Sequence, residues 1–335
     1  MTTPRVAIVT ASYNHAPFIP ERVQSILRQT VQDFEWVIID DCSTDATFQE
    51  LERGTRGDPR VTIIRNEQNL GMARTTQEAM ARTSAPALLR AESDDSLAPD
   101  FLERTLYHLE HNPDLGVVFG KTRKLDAEGT AHGGWWQSAH SEYISSKSAV
   151  DKLIRRNFIG GPSALVRRAA LGDVGGFNVG SIAVSLDWYL FLRLALKGWD
   201  FFYDPKAIAY HRSHLSNLSG RIGRQMDVEL LVRESYNLVH SAILYADLDA
   251  ATSERIWRAA SRGATKNVVA PFFVRGVRNR RLDIAREAKQ IALAYDGALS
   301  ELEWWLFVCR AAVVTAITGL GRKTQRMIGR ALPPH

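Results

Sequence analysis

The sequence predicts an α/β fold in which a mainly parallel sheet is flanked by helices and followed by a helical C-terminal region. Two observations carry the prediction. Short β-branched runs alternate with stretches of helical period, and strands separated by helices of that length imply right-handed crossovers and parallel pairing. From about Ser219 onward helical patterns dominate, which sets a boundary near Gly220 and divides the chain into 1–219 and 220–335.

The elements follow in order. R-V-A-I-V-T at 5–10 is the first strand, and a helix through Val23, Ile26 and Leu27 comes after it. E-W-V-I-I-D at 35–40 is the second strand, with another helical stretch behind it; V-T-I-I-R at 61–65 is the third, followed by a helix over 71–83. A-L-L-R-A at 87–91 is the fourth. A helix after Pro99 reaches about His111, G-V-V-F-G-K at 116–121 reads as a strand, and H-G-G-W-W-Q at 132–137 is a Gly/Trp-rich stretch. Residues 146–157 read as a helix, and F-I-G-G-P-S-A-L-V-R-R at 158–168 as a glycine-marked loop entering a strand. Trp188, Phe191, Leu192 and Ala195 have helical spacing, with Gly198 as the stop.

The 335 residues suffice for one sizeable α/β domain plus an appendage. Hydrophobic residues at 45% and charged residues at 24% are ordinary for a globular chain, and no repeat or low-complexity tract is visible. Of the net charge of +5, residues 271–335 carry +6 (11 Arg/Lys against 5 Asp/Glu), which leaves −1 for residues 1–270. Such a basic segment meets an anionic surface or is a solvated helix face. No zinc-finger spacing or other nucleic-acid motif accompanies it, so nucleic acid is not an expected partner. Only Cys42 and Cys309 occur, too few for a disulfide framework or a cysteine metal cluster, which fits a cytoplasmic setting. The strand at 5–10 starts without a charged leader and long apolar run, so it does not read as a signal peptide. The 17-residue apolar run at 304–320 is interrupted by Arg310; it is marginal for crossing a bilayer and reads as an interfacial or buried helix.

Three polar clusters fall at strand ends: A-S-Y-N at 11–14, D-D-C-S-T-D at 40–45 and E-S-D-D at 92–95. Ligands of parallel sheets bind beyond the carboxyl ends of the strands, so the three are expected to converge on one site. Glu92, Asp94 and Asp95 put three carboxylates within four residues. Two such charges 4 Å apart repel by roughly 4 kcal/mol at an effective dielectric of about 20. A cation relieves that cost, and hard oxygen ligands suit Mg²⁺ or Mn²⁺ with the phosphates it carries. The alternative is an acidic start to the helix after Pro99. Asp41, at the end of the second strand, is placed to accept from a base N–H or a ribose hydroxyl, while Thr44 and Asp45 fit a helix cap. Tyr13 is either a stacking face for a base or a buried, satisfied tyrosine.

The strings V-T-A-S-Y-N-H, V-I-I-D-D-C-S-T-D-A-T, N-L-G-M-A-R and E-S-D-D-S-L-A-P, in this order and spacing, resemble glycosyltransferase family 2 over roughly residues 5–219. That family comprises inverting enzymes with a Rossmann-like GT-A fold. The resemblance implies a metal-dependent site in which Asp94 is the principal ligand of Mn²⁺ or Mg²⁺. It implies nucleotide-sugar binding by Ala11, Tyr13, Asp41, Arg74, Glu92, Ser93, Asp95 and Arg212. Glu92 stands where the family usually has aspartate, and Cys42 where it commonly has glycine. In S-L-D-W-Y-L-F-L-R-L, Leu186 occupies the first of two acidic places and Asp187 the second, which by the resemblance is the position of the catalytic base; by its own pattern Asp187 reads equally as a helix N-terminal residue stabilised by the dipole. Y-H-R-S-H-L-S-N-L-S at 210–219 resembles the family's C-terminal loop, whose histidine approaches the metal or diphosphate; the match falls on His214, with His211 as competitor.

The expected activity is transfer of a sugar from a nucleoside diphosphate donor, UDP by resemblance, to a glycan or glycolipid acceptor in surface polysaccharide assembly. Trp135, Trp136 and the Gly160–Ser163 loop are expected to shape the pocket. The basic tail adds peripheral contact with the inner face of the cytoplasmic membrane, or an oligomer contact. A sugar nucleotidyltransferase would start with a glycine-rich, arginine-bearing loop, and an oxidoreductase with G-x-G-x-x-G; A-S-Y-N-H is neither. A non-catalytic sugar-nucleotide-binding or assembly protein remains the alternative, on account of Leu186 and Glu92.

Overall fold

A computed structural model describes residues 4–126, 129–134, 138–177, 182, 185–214, 232–295, 299–313 and 316. The chain forms two compact units, Met1–Leu153 with Asn157–Arg221, and Ile154–Arg156 with Ile222–His335.

In the first unit, β1 (Val6–Ser12), β2 (Phe34–Asp40), β3 (Val61–Arg65) and β4 (Ala87–Arg90) are parallel neighbours in the order β3-β2-β1-β4. The crossovers carry α1 (Ile19–Leu27), α2 (Thr47–Thr55) and α3 (Met72–Ala81). Strands covered on both faces need near-continuous apolar runs. Val6 to Val9 and Trp36 to Ile39 are buried accordingly, and the Trp36 indole N–H is satisfied by Thr10 Oγ1 at 3.0 Å. Register brings Ser12 beside Asp40 and Val9 beside Arg90, so the carboxyl ends of three strands share one edge.

The unit continues with β5 (Ser96–Leu97), α4 (Phe101–His111), β6 (Leu115–Leu125), β7 (Ala131–Gly134), β8 (Glu142–Ile144) and α5 (Ser146–Leu153). After a 3-10 turn at Gly161–Ser163 come β9 (Ala164–Arg167), α6 (Arg168–Asp173), α7 (Leu186–Leu196) and β10 (Asp200–Arg212). The sheet extends as β4-β9-β6-β10-β5, with β9 antiparallel to both neighbours and β10 parallel to β6. Phe101, Leu102, Leu106 and Leu109 of α4 pack into the same core as β1 and β2.

Two expectations are corrected here. The helix anticipated over 146–157 ends at Leu153. Tyr210, His211 and Arg212, read as loop, are the last residues of the long strand β10, which the sequence reading did not contain. Pro205 disguises that strand: it sits where register with β6 shifts between Asp204 and Ile208, a bulge in which its missing N–H is tolerated. Gly120 faces the bulge, and a Cβ there would lie 2.0 Å from the Ala207 carbonyl oxygen.

The second unit contains α8 (Glu234–Ala246), α9 (Ala250–Ala264), α10 (Ala270–Arg278), α11 (Leu282–Tyr295) and a helix at 301–313. Tyr236, Phe272, Ile284, Ile291 and Trp304 form its core, and Tyr236 Oη pairs with Thr265 Oγ1 at 2.8 Å. A π-turn at Thr265–Val269 precedes Pro271, which lacks an N–H and crowds the carbonyl four residues back. Asp249 caps α9 by accepting from Thr252 N at 2.9 Å. Ser300 and Glu303 form a reciprocal capping box ahead of the last helix. Among the described residues no helix is long and apolar enough to cross a membrane. The boundary expected near Ser219 and Gly220, the residues Trp135 and Trp136, and the basic residues Arg322, Lys323, Arg326 and Arg330 lie outside the described residues.

Candidate active site

The loops that leave β1 and β2 are interlocked. Asn14 N donates to Ser43 Oγ at 3.0 Å and Thr44 N to Asn14 Oδ1 at 2.8 Å. Asp45 accepts from Ala16 N at 3.2 Å and from Thr47 N at 2.9 Å, so it serves the turn before α2 as well as the first loop. Cys42 adopts φ 64°, in the left-handed region where glycine is unstrained, which accounts for the glycine the resemblance leads one to expect there. Tyr13 is 44% exposed at the tip of this assembly, and Ala11 is half-buried in β1.

Asp41 organises a neighbouring turn. Its Oδ1 accepts from Asn66 Nδ2 at 2.8 Å and Leu70 N at 2.9 Å, and its Oδ2 from Gly71 N at 2.8 Å. Three of its roughly four acceptor sites are thereby occupied within the protein. Gly71 takes φ 84° to bring its N–H there, which explains the N-L-G string. Arg74, on the first turn of α3, is exposed and pairs with Glu78 at 3.2 Å.

The acidic cluster closes β4, and each member is balanced by a different partner. Glu92 pairs with Arg90, and the buried Arg22 donates from Nε to the Glu92 carbonyl at 2.7 Å. Asp95 Oδ1 accepts from Arg212 N at 2.8 Å and lies 3.2 Å from His211 Nδ1. The antiparallel β5–β10 pair sets up that contact. The Arg212 guanidinium reaches Glu21 and lies 5.6 Å from the centre of the Phe18 ring. Asp94 Oδ2 pairs with His214 Nε2 at 3.0 Å, and His15 Nδ1 lies 2.6 Å from Ser93 Oγ.

Burial pushes the Glu92 carboxyl up, against the pull of Arg90 and with the help of Asp95 and Asp94, to about 7. Burial pushes Asp94 the same way, but the His214 hydrogen bond and the charges of His15 and His211 prevail and hold it below its ordinary value. For His211 burial acts downward, and Asp95 overrides it, raising the imidazole to about 9.

The residues present fit a divalent cation. His15, Asp94 and His214 each offer a ligand atom, all within 4.8 Å of one another. With Nδ1 held by Ser93, the other ring nitrogen of His15 is the one left for a metal. Two imidazoles with one carboxylate suit Mn²⁺ better than the all-oxygen preference of Mg²⁺. His15 stands in the string V-T-A-S-Y-N-H but received no role from the sequence, because its partners are 78 and more positions away.

Asp187 lies on the first turn of α7, half-buried. Its Oδ1 accepts from Trp188 N at 2.8 Å and its Oδ2 from Asn157 Nδ2 at 3.2 Å. Trp188 Nε1 in turn donates to the Leu153 carbonyl at 2.7 Å, anchoring α7 to the end of α5. Gly161 sits between Asp187 and the acidic cluster: a Cβ there would lie 3.2 Å from Asp187 Oδ2, 3.2 Å from Glu92 Oε1 and 3.1 Å from Arg90. Asn157 and Arg90 are thus neighbours of the site that sequence reasoning left unnamed. Leu186, in the first acidic place, is buried.

A half-parallel sheet with its polar groups gathered at the carboxyl ends of β1, β2 and β4 is the GT-A fold, and solved structures agree. S. aureus TarS 1–349 in complex with UDP superposes with TM-score 0.59 at 16% identity, over 89% of this chain and 93% of that one. The Pyrobaculum calidifontis mannosyltransferase PcManGT, in complex with GDP-Man and Mn²⁺, gives 0.54 at 18%, over 93% and 87%. The family model for glycosyl transferase family 2 matches residues 7–175, and the chain belongs to that family. TuaG of Bacillus subtilis, a glycosyltransferase assigned to teichuronic acid biosynthesis, is 35% identical over 62% of this chain and 79% of its own. An Escherichia coli chondroitin synthase is 29% identical over 58% of this chain, which spans only 27% of that protein. This chain also spans 36% and 62% of two Haemophilus influenzae glycosyltransferases.

Proposed function

We propose that the protein is an inverting glycosyltransferase that moves a sugar from a nucleoside diphosphate donor, a UDP-sugar first among them, to a hydroxyl of a glycan or glycolipid acceptor during surface polysaccharide assembly. The observation that carries the reading is the approach of Asp187 to Glu92 around Gly161, which sets a carboxylate base beside the acidic cluster of Glu92, Asp94 and Asp95. Relatives and structural neighbours support the donor and acceptor classes: TarS is solved with UDP and with UDP-GlcNAc, PcManGT with GDP-Man and Mn²⁺, and TuaG and the chondroitin synthase bear polysaccharide names.

In this reading Asp187 takes the acceptor proton on Oδ2 as the acceptor oxygen attacks the anomeric carbon from the face opposite the diphosphate. Asn157 and the Trp188 N–H keep the carboxylate oriented for that transfer. Tyr13 offers its exposed ring to the nucleotide base, and Asp41 holds the turn against which the nucleoside rests. Asp94, His214 and His15 would hold a divalent cation, which would supply positive charge for the diphosphate. His211 adds positive charge beside Asp95, and the Arg212 backbone N–H holds that carboxylate while its guanidinium reaches Glu21. Direct displacement needs no covalent intermediate, and alignment of the two substrates contributes much of the rate.

We also propose work at the inner face of the cytoplasmic membrane. On the helix at 301–313, Leu302, Trp305, Leu306 and Val313 are exposed, an apolar stripe suited to an interface and followed in sequence by four basic residues. The functional test is a screen of UDP- and GDP-sugars with Mn²⁺, by thermal shift and then by nucleotide release with glycan acceptors. Stabilisation by a donor that is never turned over, with any acceptor, would favour the non-catalytic alternative.

A further inference from the structure

The second unit contains a cleft that uses none of the residues described above. It has a volume of about 590 Å³ and lies where α8 turns into α9, against the end of α11. Pockets for small ligands run from about 300 to 1,000 Å³. Trp257 and Tyr295, both half-buried, provide its aromatic wall, with ring centroids 6.4 Å apart and planes inclined at 55°.

Both rings are held in place before any ligand arrives. His240 packs edge-on against Trp257 at 5.5 Å. Tyr295 stacks on the buried Tyr236 at 4.6 Å and donates from its hydroxyl to Asn237 Oδ1 at 3.2 Å. Around them stand Asp247, Glu254 and His240, all exposed. Asp247 ends α8 at φ 52°, and Glu254 has its neighbour Arg258 as ion-pair partner. Among the described residues, no lysine or arginine lines the cleft.

We propose that this cleft binds a neutral oligosaccharide and so retains the acceptor glycan through residues other than those of the sugar-transfer site; the proposal rests on the glycosyltransferase reading. A pyranose ring has an apolar C–H face bordered by hydroxyls. Rigid aromatic faces answer the first feature at little cost in conformational freedom, and carboxylate and imidazole acceptors answer the second. Among the described lining residues neither lysine nor arginine is present, and Asp247 adds a carboxylate, which disfavours a phosphate or an anionic glycan that like charge would repel.

The test uses the full chain without donor. Saturation-transfer NMR and calorimetry are run with neutral oligosaccharides of hexose and N-acetylhexosamine, and with chondroitin oligosaccharides as the anionic comparison. The neutral chains should bind and the anionic ones should not. Trp257→Ala should weaken binding by about tenfold or more, Trp257→Phe much less, with UDP binding unchanged in both. Asp247→Asn, which tolerates the left-handed turn, should weaken binding several-fold and reads the same cleft if Trp257→Ala fails to fold.

Absence of binding by every neutral chain, or binding indifferent to both Trp257→Ala and Asp247→Asn, overturns the proposal. So does a Trp257→Ala protein that sediments as a smaller species than the parent while sugar binding is untouched, because the cleft would then hold a second copy. Sugar transfer by the parent protein is measured in parallel. Transfer without cleft binding removes only the cleft proposal, whereas cleft binding without transfer removes the enzymatic reading and with it the acceptor role, leaving an oligosaccharide site.

Discussion

Asn157 donates from Nδ2 to Asp187 Oδ2 at 3.2 Å, joining two segments 30 positions apart. The base candidate is thus oriented by a neutral amide that leaves its negative charge in place. Asp187→Asn is expected to keep donor and metal affinity while lowering single-turnover sugar transfer by about 10²- to 10⁴-fold, the usual span for general-base catalysis. Asn157→Ala should lower transfer less, since the Trp188 N–H still holds Oδ1. If Asp187→Asn retains more than about a tenth of the parent rate, the base lies elsewhere.

Gly161→Ala tests the crowded point between base and acidic cluster. The new methyl meets Asp187, Glu92 and Arg90 at 3.1 to 3.2 Å, so the side chains have to yield by a few tenths of an ångström. We expect a melting temperature within a few degrees of the parent and a loss of kcat smaller than the roughly 100-fold that a displacement of about an ångström costs. Equal damage to stability and turnover would mean that the glycine serves packing alone.

Metal binding should depend on Asp94, His214 and His15, with Ser93 acting through His15. Calorimetry with Mn²⁺ is expected to show no measurable binding by Asp94→Ala. Ser93→Ala should lose about 10- to 100-fold in affinity, as partners that orient a ligand usually do. Donor affinity indifferent to EDTA in the parent protein would end the metal assignment.

The helix at 301–313 should be acid-sensitive. Glu303 accepts from Ser300 N at 3.0 Å, from Arg262 and from Ser300 Oγ, and these bonds bring its carboxyl from 4.5 down to about 2. A carboxyl depressed on folding contributes stability in full above its unfolded value and loses it as pH falls through the folded one. Protection of the amides in this helix, relative to their intrinsic exchange rates, should therefore fall between about pH 4.5 and 2 in the parent. In Glu303→Gln it should already be lower at neutral pH and change less with acid.

Membrane contact is best tested by surface changes, because the helix also has a structural face. Trp304 is fully buried in the second unit's core, so removing everything after residue 297 would damage the fold. Trp305→Ser with Leu306→Ser changes residues that are 49% and 59% exposed, and should reduce flotation with anionic liposomes while leaving the melting temperature nearly unchanged. Liposome binding untouched by the pair would assign the stripe to another partner.

The strands β1 to β4 were readable because each is an apolar run between helical periods, and the site loops because they follow those runs. β10 was not, because its pattern is broken at Pro205 by a bulge that only the facing Gly120 makes possible. The same strand brings Arg212 and His214 to the acidic cluster, so their family-based assignments had no local support in the sequence. Asn157 was absorbed into a helix that in fact ends at Leu153. His15 was visible only as a letter in a string: a histidine acquires meaning from what surrounds it, here Ser93, Asp94 and His214. Arg74 shows the reverse case, a residue inside a matching string whose side chain pairs outward with Glu78.

The antiparallel contact between β5 and β10 also has a bearing on how the chain acquires its site during synthesis. Asp94 and His214 are separated by 120 positions and Asp95 and Arg212 by 117, so their pairing closes very long loops. The first four strands can pair as they leave the ribosome, but Asp95 and Asp94 must wait until residues 212 and 214 are made for these partners. Non-local pairings of this kind form slowly. A nascent chain halted before β10 would therefore carry an assembled parallel sheet in which Glu92 already has Arg90 and Arg22, while Asp94 and Asp95 still lack His214 and Arg212.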